Sequence, residues 1–270
     1  MSKYRPFLKI LVLVAVLICS ACDSNEVRDT TPTPGVNTPT SDIVANVGPV
    51  NSVILNDQIA FAQSLGSNIV SIVQGNVGQD QDSGTGNYLI LYGIDTTFDQ
   101  DETFTHDIDE TEDCIGGGTK AFVGSLDGTL SSGSSSGSLS GQYSLVYTNC
   151  IEEVLLEASD GSCSVEVNIT GTFTNTMTLN FFDLDPFDVN EYNIDDNIVS
   201  AAPIEFVNEG GTTQSVTYSL DLFISTNLEN PTLDGTLTYS NQTYEAEAVD
   251  DAIGTSVAAD ICPAASPTSP

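Results

Sequence analysis

The chain has 270 residues, with 38 acidic side chains against 5 Lys or Arg, one His and no Trp. A formal charge of −33 repels phosphate, which excludes nucleic acid and makes anionic lipid headgroups poor partners. One imidazole cannot complete a zinc set, and the lack of Trp removes the broadest platform for stacking on sugars.

Residues 1–22 read MSKYRPFLKILVLVAVLICSAC, with Lys3, Arg5 and Lys9 ahead of an apolar run at 10–19 and no acid before Asp23. Such a run spans about 15 Å as a helix, half of a bilayer's roughly 30 Å apolar core. A basic start, a short apolar stretch and small residues behind it predict a secretory signal over 1–21. Ser20-Ala21-Cys22 behind the aliphatic run resembles the lipobox of bacterial lipoproteins, and the resemblance covers these 22 residues only. Cys19 stands where that pattern usually has Leu. The resemblance implies cleavage before Cys22 and lipid attachment to its sulfur. The membrane is then a partner through the anchor, inner or outer, with the body in the periplasm or at the cell surface of a bacterial envelope. Ordinary secretion with cleavage after Ala21 is the alternative.

Residues 22–47 carry Thr31-Pro32, Thr33-Pro34 and Thr38-Pro39 and few apolar groups, which predicts an extended tether reaching up to about 75 Å. The folded body is expected over 48–262, one acidic β-rich domain, with a loose tail at 263–270.

Within 51–74, Leu55, Ile59, Ala62, Leu65, Ile69 and Ile72 recur at helical spacing, with Asn51 or Ser52 as N-cap. A helix broken near Gly66 and followed by a strand at 68–74 is the alternative. The stretch 95–113 holds nine carboxylates and no Lys or Arg. Asp99, Asp101, Asp107 and Asp109 form Asp-x-Asp pairs, which in an irregular loop could converge as oxygen ligands on a structural Ca²⁺. The EF-hand template fails there, because Phe104 falls where Gly is required. His106, set among these acids, is expected to favour its protonated form.

Two motif matches do not survive their context. Gly116-Gly117-Gly118-Thr119-Lys120 lacks the ending of a phosphate loop and reads as a glycine turn. Gly133-Ser134-Ser135-Ser136-Gly137 lies in a Ser/Gly tract with the only His upstream, so it is no nucleophile elbow.

After Gly84 the period is two. Val165, Val167, Ile169, Phe173, Met177, Leu179 and Phe181 share one parity, and Val216, Tyr218, Leu220, Leu222 and Ile224 share another. Further strands are expected at 88–92, 121–126 and 142–147, a hairpin at 237–248, and turns at Asp127-Gly128, Asp160-Gly161 and Asp234-Gly235. The fold class is therefore mainly β, an antiparallel sandwich or barrel with one N-terminal helix packed against it.

With Cys22 lipidated, Cys114, Cys150, Cys163 and Cys262 are the disulfide candidates in an exported chain. Cys150–Cys163 around the 158–161 turn, with Cys114–Cys262, is the expected pairing. No catalytic residue stands out. The sequence favours a non-catalytic body that binds or scaffolds an unknown protein or small-molecule ligand. A Ca²⁺-stabilised binding module and a carboxylate-dependent hydrolase are the alternatives.

Overall fold

Period-two patterning governs the chain from Glu102 onward. In the computed structural model, which describes residues 35–77, 101–131, 135–158, 161–185, 188–208, 211–228 and 230–253, it folds into nine strands. These are β1 (Glu102–Asp113), β2 (Gly117–Leu130), β3 (Gly137–Ala158), β4 (Gly161–Asp185), β5 (Asp188–Ser200), β6 (Ile204–Val207), β7 (Thr213–Ser225), β8 (Thr232–Tyr239) and β9 (Gln242–Glu245). All nine belong to one antiparallel sheet in the order β1-β2-β3-β4-β5-β7-β8-β9. Short β6 pairs with both β4 and β7, continuing the place in the sheet that β5 leaves. Among the described residues β1 and β9 are not paired with each other, so the hydrogen-bonded ladder does not close on itself there. The fold is mainly β with an N-terminal helix against it, as the sequence predicts.

The strands are fewer and longer than the many short ones expected. The odd-numbered run from Val165 to Phe181 lies on a single strand, β4. Its partner β3 shows why neighbouring patterns look broken. Leu145 and Tyr147 point inward at odd positions, whereas Cys150 and Glu152 are buried at even ones. The ladder shifts between Tyr147 and Cys150, where Asn149 has φ 47. An irregularity of this kind reverses which parity faces the core.

Two predicted turns prove to be strand interior. Gly128 on β2 lies opposite Phe104, whose ring covers the space a side chain would need. Gly235 on β8 has φ 131 and approaches the backbone of Ser219 and Leu220 closely, so a side chain there would collide with β7. Glycine marks close approach here, not reversal. The hairpin at Ser240-Asn241 is present, with positive φ at both residues. Its second arm is shorter than predicted, because Ala246–Ala252 turns into the helix α3.

The N-terminal helix α1 (Ser41–Ser67) starts well before the predicted Asn51 and runs through Pro49. Ile43, Val44 and Val47 extend the same apolar stripe as Val50, Ile54, Leu55, Phe61, Ala62 and Leu65. Burial of that stripe outweighs the proline, which costs about 3 kcal/mol inside a helix. A second helix, α2 (Ile69–Val77), replaces the alternative strand at 68–74. The end of the supposed tether is also ordered: Asn37 bridges to Tyr244 in parallel and its N–H donates to Thr243 O at 2.8 Å. The boundary at 48 is thus corrected to the mid-thirties. Cys22, Asp99, Cys262 and the strand expected at 88–92 lie outside the described residues.

A disulfide joins Cys114 to Cys150, with Cα atoms 5.4 Å apart. Both expected pairings are overturned. Cys150 lies opposite Ile169, while Cys163 lies opposite Leu156, six positions further along β3. At about 3.4 Å per residue that is roughly 20 Å, beyond the reach of any disulfide. Cys114, at the turn between β1 and β2, is close because β2 and β3 are neighbours and Gly116 N–H donates to Ile151 O at 2.8 Å. The C114A/C150A variant is expected to lose up to about 4 kcal/mol in urea unfolding, the chain-entropy value for a separation of 36 residues. A loss under about 1 kcal/mol would show that the strand ladder alone supplies this constraint.

Candidate functional site

The polar residues that break the apolar pattern gather on one side of the sheet, under α1. Lys120 on β2 lies opposite Glu112 on β1 and Tyr147 on β3, so register alone places three polar side chains in one row. Asp57 reaches this row from α1. Lys120 Nζ donates to Asp57 Oδ1 at 2.6 Å, and Tyr147 OH donates to Asp57 Oδ2 at 2.8 Å. Glu112 and Glu152 complete the surround, 3.5 and 4.0 Å from Nζ. The Lys120 and Asp57 side chains are only 15% and 14% exposed, so their attraction is weakly screened. Burial alone would lower the Lys120 pKa. Asp57, by charge and hydrogen bond, and the two glutamates outweigh it and hold the ammonium above its ordinary range. Burial, with Asp57 and Glu112 near, raises Glu152 against the pull of Lys120 and the Ile115 N–H.

A second cluster lies one residue along α1, at Gln58. Tyr143 on β3 and Asn175 on β4 are direct cross-strand partners, and Asp196 projects from β5 beside them. Tyr143 OH donates to Asp196 Oδ2 at 2.6 Å. The Asn175 amide donates within the group formed by Gln58 Oε1, Tyr143 OH and Asp196 Oδ2, at 2.7, 2.9 and 3.1 Å. Asp196 is 2% exposed, and Gln58 and Asn175 are fully covered. Burial pushes the Asp196 carboxyl up to about 6, against the two hydrogen bonds that favour its charged form. Burial and the nearby carboxylates push both Tyr143 and Tyr147 well above the ordinary phenol range, so each keeps its proton and donates it to its carboxylate.

Aromatic packing holds the same face of the helix one turn further along. Phe61 stacks on Phe122 with centroids 4.0 Å apart and tilts against Tyr143 at 4.9 Å.

Chemically, this arrangement holds a helix. The ammonium of Lys120 is committed to Asp57, which leaves no free amine for nucleophilic attack. The Asp196 carboxyl titrates in a range suited to a general base, but α1 covers it, so a substrate would have to displace the helix. Cys114, Cys150 and Glu152 bring two sulfurs and an oxygen within 4.8 Å. The sulfurs are bonded to each other, so they are not thiolate ligands, and the 3.9 Å approach of Glu152 to Cys150 is packing.

The acidic stretch behaves differently from its sequence reading. Residues 102–113 are a regular strand and not an irregular loop. Asp107 and Asp109 both stand exposed on its outer face, two residues apart and opposite Ser125 and Val123. Asp101 directly precedes β1 and is exposed. His106 faces inward and is half-buried; desolvation outweighs Glu110 and Asp107 and lowers its pKa, the reverse of the sequence expectation. The glycine turn before Lys120 is as predicted, with positive φ at Gly117 and Gly118.

Sequence reasoning missed Asp57, Gln58, Tyr143, Asn175, Asp196 and Glu152, although a signal was available for some of them. Asn175 and Asp196 occupy core parity within apolar runs, and Lys120 is the only Lys or Arg after Arg28. No protein-family model, curated protein or solved structure matches the chain.

Asp196 makes a pH signature. Its folded carboxyl is raised to about 6 from 3.8, so the folded state keeps a proton that the unfolded chain releases between those values. The resulting stability is complete below about 3.8 and disappears as pH rises through about 6, a loss of roughly 3 kcal/mol. Asp196→Asn keeps the acceptor for Tyr143 and does not titrate. Urea unfolding from about pH 3.5 to about pH 7.5 should therefore shift the stability difference by roughly 3 kcal/mol in favour of the variant. A constant difference would contradict the assignment.

Proposed function

We propose that the chain is a bacterial envelope lipoprotein, anchored by lipid on Cys22, whose β body works by binding or scaffolding rather than by catalysis. The observation that carries the second half is the use made of the polar groups near the core. Lys120, Asp57, Tyr147, Asn175, Tyr143 and Asp196 bond to one another and to α1, and the helix occupies the face of the sheet where a pocket would otherwise lie. What the body offers a partner is its surface, rich in hydroxyls and carboxylates on the outward positions of β4, β5 and β7.

The first half draws on the leader's basic start, its apolar run and Ser20-Ala21-Cys22. Ordered structure beginning near Asn37 leaves residues 23–36 as the link between anchor and body. A strongly acidic body is repelled by anionic headgroups, so a covalent lipid and not surface charge has to hold it at a membrane.

Mass spectrometry of the full-length gene product from a bacterial host tests the address. The expected N-terminal peptide starts at Cys22 with its sulfur diacylglyceryl-modified, and Cys22→Ser leaves the leader uncut. A free Cys22 thiol or an intact Met1 in the wild-type product would overturn the proposal.

A further inference from the structure

We propose that the α1–sheet interface binds an ordered water molecule between Gln58, Asn175 and Asp196, as a built-in part of the fold. The inference does not depend on the functional reading above. Three buried atoms in this one hydrogen-bonded group have no protein partner: Gln58 Nε2, Asn175 Oδ1 and Asp196 Oδ1. Their owners are joined through Asn175 Nδ2, which reaches Gln58 Oε1 at 2.7 Å and Asp196 Oδ2 at 3.1 Å. Buried donors and acceptors are almost always paired, with ordered water supplying the missing partner where protein does not.

Turning the amides does not relieve the deficit. With its oxygen and nitrogen exchanged, Asn175 would set an oxygen 3.1 Å from the Asp196 carboxylate, and would no longer donate to Tyr143 OH at 2.9 Å. Gln58 turned alone would bring its amide nitrogen within 2.7 Å of another amide nitrogen. With Asp196 ionised the orientations are therefore fixed, since turning both amides together still sets the Asn175 oxygen against the carboxylate.

The chemistry of the three open atoms selects the guest. Two are acceptors, on Asn175 and Asp196, and one is a donor, on Gln58. A molecule with two donors and a free acceptor fits, and water is the smallest that has them. A metal cation would satisfy the two oxygens but would face the Gln58 N–H group. An ammonium ion offers donors and no acceptor, so it too leaves Gln58 unpaired. Asn51 Oδ1 on α1 is a further buried atom with no protein partner.

The test is the electron density of the full chain, crystallised near pH 8 so that Asp196 is ionised and diffracting beyond about 1.5 Å. A peak refining as oxygen within hydrogen-bond distance of Asp196 Oδ1 and Gln58 Nε2 is expected. Absence of density, with the three atoms paired among themselves, would overturn the inference. So would a peak that gains anomalous signal when rubidium replaces sodium, since that guest is a cation.

Discussion

One ammonium group carries the architecture. Lys120 is the only Lys or Arg in the described part of a chain with 38 acidic residues, and it sits where α1 meets the row formed by β1, β2 and β3. Asp57 takes a hydrogen bond from Lys120 on one carboxylate oxygen and from Tyr147 on the other, so a helix and two strands share one anion. The geometry is specific because a carboxylate accepts along two directions and each is used. Without the cation, Asp57, Glu112 and Glu152 would face one another across a half-covered space.

That arrangement answers a problem set by composition. A chain this acidic repels itself, and every acid near the interior has to be paired, neutralised or hydrated. The outward positions solve it by exposure, as at Asp107 and Asp109 on β1. The inward positions use different means. Asp57 and Glu152 share Lys120, while Asp196 is held by Tyr143 and Asn175 with its carboxyl raised to about 6. Because each of these groups touches a residue on α1 or its direct partner, the helix cannot slide along the sheet without breaking several polar contacts together. The apolar stripe supplies the larger burial energy, and the polar contacts fix the register.

How much of this was legible follows from which patterns are local. The odd-numbered run of β4 and the alternating set of β7 are visible in sequence, because strand period is a property of adjacent residues. The register shift at Thr148-Asn149 hid the inward role of Cys150 and Glu152, since parity counted from Tyr143 puts them on the wrong face. Cys114–Cys150 depended on that same long-range pairing and was not recoverable from spacing. Asp127-Gly128 and Asp234-Gly235 misled because a glycine needed for close approach has the same signature as one needed for a turn. The polar cluster was legible in outline only. Asn175 and Asp196 at core parity announce buried polar groups, but nothing local tells that Gln58 and Asp57, more than 100 residues from Asn175, come to meet them.

The claim that a single shared cation fixes the helix on the sheet is tested most directly by a double-mutant cycle between Asp57 and Lys120. Asp57→Asn keeps an acceptor for Tyr147, and Lys120→Met keeps the length of the stem. With each variant and the pair measured by urea unfolding at moderate salt, a coupling of about 2 kcal/mol or more is expected for this weakly exposed contact. A coupling under about 0.5 kcal/mol, the size found for surface pairs, would contradict the account.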